Sequence, residues 1–157
     1  MAGHVIEVAK GVHRLTNGVA NFYLIEESGK LVLVDAGAPK DWALFTQAAL
    51  GAGKVAGDLD AVLLTHAHTD HTGFAEQARA TTGARVWIHE QDVQMARTGK
   101  VGPQIMPSGL NADTPQALAS LANLTGIKAE VLLPGHGEPW TEGVDEAIRE
   151  ARAAGPS

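Results

Sequence analysis

The apolar positions of the chain fall into short runs whose period changes along its length. Val5 to Val8, Ala20 to Ile25 and Leu31 to Val34 are β-type runs, separated by the turn signals Asn17-Gly18 and Glu27-Ser28-Gly29-Lys30. They predict a three-stranded antiparallel meander. From Pro39 the spacing becomes helical: Trp42, Phe45, Ala49 and Leu50 share a face, and Gly51 and Gly53 end the helix. Asp60 to Thr65 reads as a buried strand, followed by a helix from about Thr72 to Thr82 that Gly83 stops. The alternation then repeats, with a strand over Arg85 to His89 and a short helix over Glu90 to Thr98.

Residues 99–112 hold three glycines and two prolines without a period, which marks a junction. Beyond it, Thr114-Pro115 opens a helix carrying Leu118, Leu121 and Thr125, and Gly126 closes it. Glu130 to Pro134 is expected as the last strand. Thr141 is expected to cap a final helix with Val144, Ile148 and Ala151 on one face, ended by Gly155-Pro156. The pattern is that of an α/β (α+β) chain in one domain, 1–157, with an N-terminal half (1–98), a junction (99–112) and a C-terminal part (113–157).

Composition narrows this picture. A chain of 157 residues with 45% hydrophobic content can bury one real core. Aromatic residues make up only 4%, which predicts aliphatic packing with Trp42, Trp87 and Trp140 as the large pieces. The net charge of −6 and the absence of a basic run argue against nucleic acid as a partner. No apolar stretch approaches the length of a membrane span and no apolar leader opens the chain, so no membrane association and a cytoplasmic location are expected. The chain has no cysteine, which leaves only histidine and carboxylate as metal ligands.

Such ligands are concentrated in Thr65-His66-Ala67-His68-Thr69-Asp70-His71-Thr72-Gly73, directly after an apolar run. In an extended stretch His66 and His68 project to one side. The turn into the next helix can bring Asp70 and His71 to an adjacent point, so that six residues serve two metal positions about 3.5 to 4 Å apart. Imidazole and carboxylate together suit zinc first, with iron or manganese as alternatives. A second feature, Pro134-Gly135-His136-Gly137-Glu138, follows the expected last strand and places one imidazole on a tight turn. His136 is a candidate further ligand. His4, His13 and His89 read as surface or strand histidines.

These two motifs, the meander, and Leu33-Val34-Asp35-Ala36-Gly37 before the first helix together resemble the metallo-β-lactamase-fold hydrolases. The resemblance implies a sheet flanked by helices, one half of an αββα sandwich. It places His66 and His68 at one zinc position and Asp70, His71 and His136 at the other. Asp35 resembles the acidic residue behind the site, which orients ligands. The chain also departs from the family, whose members supply a third histidine and a bridging aspartate between the two motifs. No histidine lies between His89 and His136, and Asp92 and Asp113 are the only aspartates there, neither next to a preceding glycine. The second half of the sandwich is accordingly expected to be truncated, with the seam near Gly99-Lys100-Val101-Gly102.

The resemblance implies a zinc-dependent hydrolase in which metal-activated water attacks a small ester, thioester, lactone or amide, with Asp70 orienting the water. The missing ligands predict weak activity, one tightly bound zinc and a weak or empty second position. The alternative is a non-catalytic metal-binding or assembly remnant of the fold. Loss of the second sheet leaves aliphatic surface to cover, so a homodimer or higher homo-oligomer is expected.

Overall fold

The computed structural model describes residues 3–98 and 114–154. They form two compact units, one holding residues 3–98 and 135–137, the other 114–134 and 138–154.

The first unit is built on a six-stranded sheet in sequential order: β1 (His4–Ala9), β2 (Val12–Thr16), β3 (Asn21–Glu27), β4 (Lys30–Val34), β5 (Leu59–Leu63) and β6 (Arg85–Trp87). The first four strands are antiparallel, and β4, β5 and β6 are parallel. The meander therefore has four strands, not three. Val12-His-Arg-Leu-Thr16 has too little apolar character to read as a strand, but Gly11 turns the chain at φ +72 and β2 pairs with strands on both sides. The parallel pairs require crossovers, and helices α1 (Trp42–Gly51) and α3 (Ala75–Thr82) supply them.

The strand register explains the core. Leu24, Leu33, Val62 and Val86 are successive cross-strand partners and lie on one face. The first three are fully buried, in one cluster with Phe45, Ala48 and Ala49 of α1 and Ala75 and Ala78 of α3. The neighbouring row, Ile6, Arg14, Tyr23, Val34, Leu63 and Trp87, faces away from these helices. Of the tryptophans, Trp42 packs against the core cluster, but its fully buried large pieces are phenylalanines. All three phenylalanines, Phe22, Phe45 and Phe74, are buried, and Phe74 meets both others and Trp42 at ring-centroid distances of 5.7 to 5.9 Å. Trp87 is 55% exposed because its position on the edge strand points away from the helices. Phenylalanine has no polar atom that needs a partner inside a core.

The expected helix after β5 is broken in two. The short helix α2 (Thr69–Thr72) carries Asp70 and His71, and α3 starts only at Ala75. Gly73, between them, is packed so tightly that a Cβ would lie 2.5 Å from the backbone of Gly37, Ala38 and Pro39. Gly73 N–H donates to Gly37 O, and Phe74 N–H to Ala36 O, so the loop after β4 clasps the break. Gly83 ends α3 at φ +78, as expected. The strand from Arg85 stops at Trp87, and the segment to Thr98 is a short 3₁₀ turn leading into α4 (Val93–Thr98).

The second unit contains α5 (Thr114–Ser120), a 3₁₀ turn at Leu121–Leu124 and α6 (Val144–Ala154). The strand expected over Glu130 to Pro134 is absent among the described residues. Leu132 makes one isolated antiparallel bridge to Trp140, and Pro134 lacks the N–H that would extend it. Thr141 does not cap the last helix, which begins after Gly143 at φ +89. Val144 and Ile148 are buried, and Ala151 is exposed. The junction 99–112, its seam and the ending Gly155-Pro156 lie outside the described residues. Among the described residues there is one sheet, and no helix is long and apolar enough to cross a membrane.

Candidate metal centre

The sheet delivers the candidate ligands at the carboxyl ends of its parallel strands. β5 ends at Leu63, and the chain passes through Leu64 and Thr65 to His66. Next to it, β4 ends at Val34 and Asp35 turns back in the left-handed region, φ +61, with its N–H donating to Leu63 O at 2.9 Å. A non-glycine residue in this region costs about 1 to 3 kcal/mol and persists only where its surroundings hold it. Here they do. The Asp35 carboxylate, 3% exposed, accepts hydrogen bonds from the Thr65 N–H (2.8 Å) and Thr65 Oγ1 (2.9 Å), and lies 2.8 Å from His71 Nδ1.

These bonds determine which nitrogen each imidazole offers. His71 uses Nδ1–H toward Asp35, so Nε2 is left with its lone pair. His136, the exposed candidate ligand, lies with Nδ1 2.8 Å from the Val19 carbonyl, which can only accept, so Nδ1 carries a hydrogen and Nε2 is the nitrogen left to bind a metal. The two Nε2 atoms face each other at 3.1 Å. Asp70 Oδ2 lies 3.6 Å from one and 3.9 Å from the other. The three ligand atoms all lie within 4.8 Å of one another, close enough to converge on one cation. Ligand-to-ligand edges of about 3.3 Å are what a tetrahedral site with bonds near 2.0 Å requires. The donor set and its spacing therefore fit a metal such as zinc.

His66 and His68 form the other pair. Thr65 Oγ1 donates its proton to Asp35 and can accept from His66 Nδ1 at 2.9 Å, which leaves His66 Nε2 bare and 3.0 Å from His68 Nδ1. The His66 ring lies 4.2 Å from that of His71. Burial, then the neighbouring His71 and His68, hold the His66 imidazole below its ordinary pKa of 6.5, against the opposing pull of Asp35 and Asp70. Among the described residues, no third histidine or carboxylate converges with His66 and His68 as His136 does with Asp70 and His71.

The structure thus brings Asp70, His71 and His136 to one point, His66 and His68 to a neighbouring one, and Asp35 behind both. His4 and His13 sit on strands, and His89 accepts from the Gln91 N–H, all away from this cluster. Three participants carry no signal in the motifs: the Thr65 hydroxyl, the Val19 carbonyl and Asn21. For Asn21 the only hint in the sequence is a polar residue at the head of the apolar run Phe22-Tyr-Leu-Ile25.

Comparison with known proteins matches residues 15–110 to the model of the metallo-beta-lactamase superfamily. The chain belongs to that superfamily. A curated relative, the probable metallo-hydrolase YflN of Bacillus subtilis, is 36% identical over 102 residues, 63% of this chain and 38% of that protein. The uncharacterized protein YobT of the same organism is 40% identical over 73 residues, 46% of this chain and 30% of that one. Among solved structures, the metallo-beta-lactamase GOB-18 from Elizabethkingia meningoseptica superposes with a TM-score of 0.57 at 25% identity, over 61% of this chain and 36% of that one. BJP-1 of Bradyrhizobium japonicum, a subclass B3 metallo-beta-lactamase, gives 0.54 at 25% identity over 58% and 34%. The matches therefore span between 30% and 38% of these relatives' own lengths. The mixed sheet with its helices is the superfamily's α/β fold over about 60% of the chain.

Proposed function

We propose that the chain is a metal-dependent hydrolase of a small carbonyl substrate, an ester, thioester, lactone or amide, with one zinc held by Asp70, His71 and His136. The observation that carries this reading is the pair of imidazoles whose Nδ1 atoms are both engaged and whose bare Nε2 atoms meet at 3.1 Å beside a carboxylate. A metal bound there would supply Lewis-acid chemistry, acidifying water and stabilising negative charge on the carbonyl oxygen. Asp70, one-third exposed at the mouth of the site, has an oxygen free to orient water and take up its proton. His66 and His68, the second pair, lack a third partner among the described residues, so a second metal would bind weakly there and the rate would be low.

The test is turnover of a chromogenic ester or lactone. It is expected to be abolished by a chelator, restored by zinc, and lost in His71→Ala. Zinc-dependent thermal stability without turnover above that of free zinc would instead support a non-catalytic metal-binding role, which the two-ligand second position favours.

We also infer that copies of the chain associate. Ile6, Leu63 and Trp87 lie in one cross-strand row and are 47%, 41% and 55% exposed. Arg14 and Tyr23 in the middle of the row are already buried, so a second copy would cover its Leu63 and Trp87 end. Light scattering is expected to show an oligomer that Trp87→Glu disperses, and a well-folded native monomer at micromolar concentration would overturn the inference.

A further inference from the structure

Asn21 is 4% exposed and belongs to neither candidate ligand set, yet it grips the turn that carries His136 from both sides. Its backbone N–H donates to Gly135 O at 2.7 Å, and its side-chain Nδ2 donates to Gly137 O, also at 2.7 Å. Between these two bonds the imidazole of His136 reaches the Val19 carbonyl. Three consecutive residues of the turn are thus tied down, Gly135 and Gly137 to the first residue of β3 and His136 to the short loop that leads into it.

That loop is itself held in place. Asn17 Oδ1 accepts from the Val19 and Ala20 N–H groups at 2.9 and 3.0 Å, and Asn17 Nδ2 donates to the buried carboxylate of Asp41. Asp41 also accepts from the Ala38 N–H at 2.8 Å, in the loop that clasps the start of α3. On the other side the turn packs closely on His71, since a Cβ on Gly135 would stand 3.0 Å from its ring. Gly137, at φ +85, adopts the left-handed conformation that glycine favours, and its carbonyl receives the Asn21 amide.

A solvent-exposed histidine between two glycines would ordinarily sample many orientations, and fixing one costs conformational entropy. We propose that Asn21 is a positioning residue that holds His136 in one orientation and one tautomer, Nδ1–H toward Val19 and Nε2 toward His71 and Asp70. Metal affinity then depends on Asn21, although Asn21 offers the metal nothing. The consequence for affinity rests on the metal-centre reading, while the consequence for the tautomer does not.

The experiment compares native protein with Asn21→Ala, His136→Ala and the double variant, using zinc alone against a chromophoric chelator. Outer partners of metal ligands typically contribute about 10- to 100-fold in affinity. Asn21→Ala is expected to lose that much zinc affinity while the metal-free protein keeps its near-ultraviolet circular dichroism. His136→Ala is expected to cost far less in the Asn21→Ala background than in the native one, because the two act as one unit. In the metal-free protein, nitrogen-15 NMR of the imidazoles is expected to show His136 as the Nδ1–H tautomer in native protein and as a mixture in Asn21→Ala. A merely structural role would lower thermal stability and leave zinc affinity and tautomer unchanged at 25 °C. Native-like affinity and tautomer in Asn21→Ala, or losses that simply multiply in the double variant, overturn the proposal. Should Asn21→Ala fail to fold, Asn21→Ser, which keeps a short polar group, is read by the same two measurements. Should native protein bind no zinc, the metal-centre reading falls and the tautomer alone decides the role of Asn21.

Discussion

The carboxylate of Asp35 lies 2.8 Å from Nδ1 of His71, and both side chains are almost fully buried, at 4% and 1% exposure. The same carboxylate receives the Thr65 hydroxyl, which in turn faces Nδ1 of His66. One aspartate therefore orients one imidazole in each of the two neighbouring groups of candidate ligands. A backbone in the left-handed region at Asp35 is the local cost of aiming it there.

Asp35→Asn separates charge from shape. Asparagine tolerates the same backbone conformation and can still accept from Thr65 through its oxygen. The ionised partner of His71 is lost, and a buried group that loses a hydrogen-bond partner costs about 1 to 3 kcal/mol. The expected outcome is a lower urea midpoint and a zinc affinity reduced by about 10- to 100-fold in a chelator competition. Native affinity in Asp35→Asn would show that the carboxylate serves the backbone of Thr65 and not the ligands.

Stability of the metal-free protein should depend on pH through His66. Its pKa in the folded protein lies below the ordinary 6.5, chiefly through burial and then through the adjacent His71 and His68. Below pH 6.5 the unfolded chain takes up the proton first, so the folded state loses stability as pH falls and the loss ends once the lowered folded pKa is passed. Above that window the imidazole is neutral in both states and contributes no slope. Urea midpoints of chelator-treated protein between pH 7.5 and 5 are expected to fall on acidification. The slope should flatten in His66→Gln, and an unchanged slope in that variant would assign the effect elsewhere.

Gly73→Ala probes how the short helix α2 is seated. The added methyl would stand 2.5 Å from backbone atoms of Gly37, Ala38 and Pro39, none of which can swing away as a flexible side chain would. Overpacking of this kind costs about 1 to 3 kcal/mol. Because Asp70 and His71 lie on the four-residue helix ending just before Gly73, the shift also reaches the ligands. Denaturation with and without zinc should show a loss in both conditions, larger with zinc. A loss equal in both would mean that α2 keeps its geometry.

The sequence made the ligand centre legible because its residues are dense and near a strand end: His66, His68, Asp70 and His71 span six positions, and the structure gathers them as that spacing implies. His136 was legible through its flanking glycines, but not through the strand expected before it, since among the described residues segment 130–134 makes a single bridge. What holds His136 is Asn21, 115 residues earlier, and hydrogen bonds over such distances leave no local pattern. The same limit applies to Phe74 and Trp87. Both are large apolar residues beside turns, and only the assembled fold decides: the start of α3 encloses Phe74 against Phe22 and Phe45, while the register of the edge strand turns Trp87 outward.

Metal stoichiometry follows from the count of converging donors. Asp70, His71 and His136 supply three, matching a zinc site that keeps one position open for water. His66 and His68 supply two, and their nitrogens lie 3.0 Å apart with no third protein donor converging on them among the described residues. Elemental analysis after exhaustive dialysis is therefore expected to retain one zinc per chain, with a second bound only at excess metal. Removing the retained ion should lower the thermal midpoint, since a ligand at 100 times its Kd stabilises the folded state by about 2.7 kcal/mol. His136→Ala should abolish the retained zinc, whereas His68→Ala should leave it. Two zinc ions retained by native protein would show that the His66 and His68 position is completed by a further ligand.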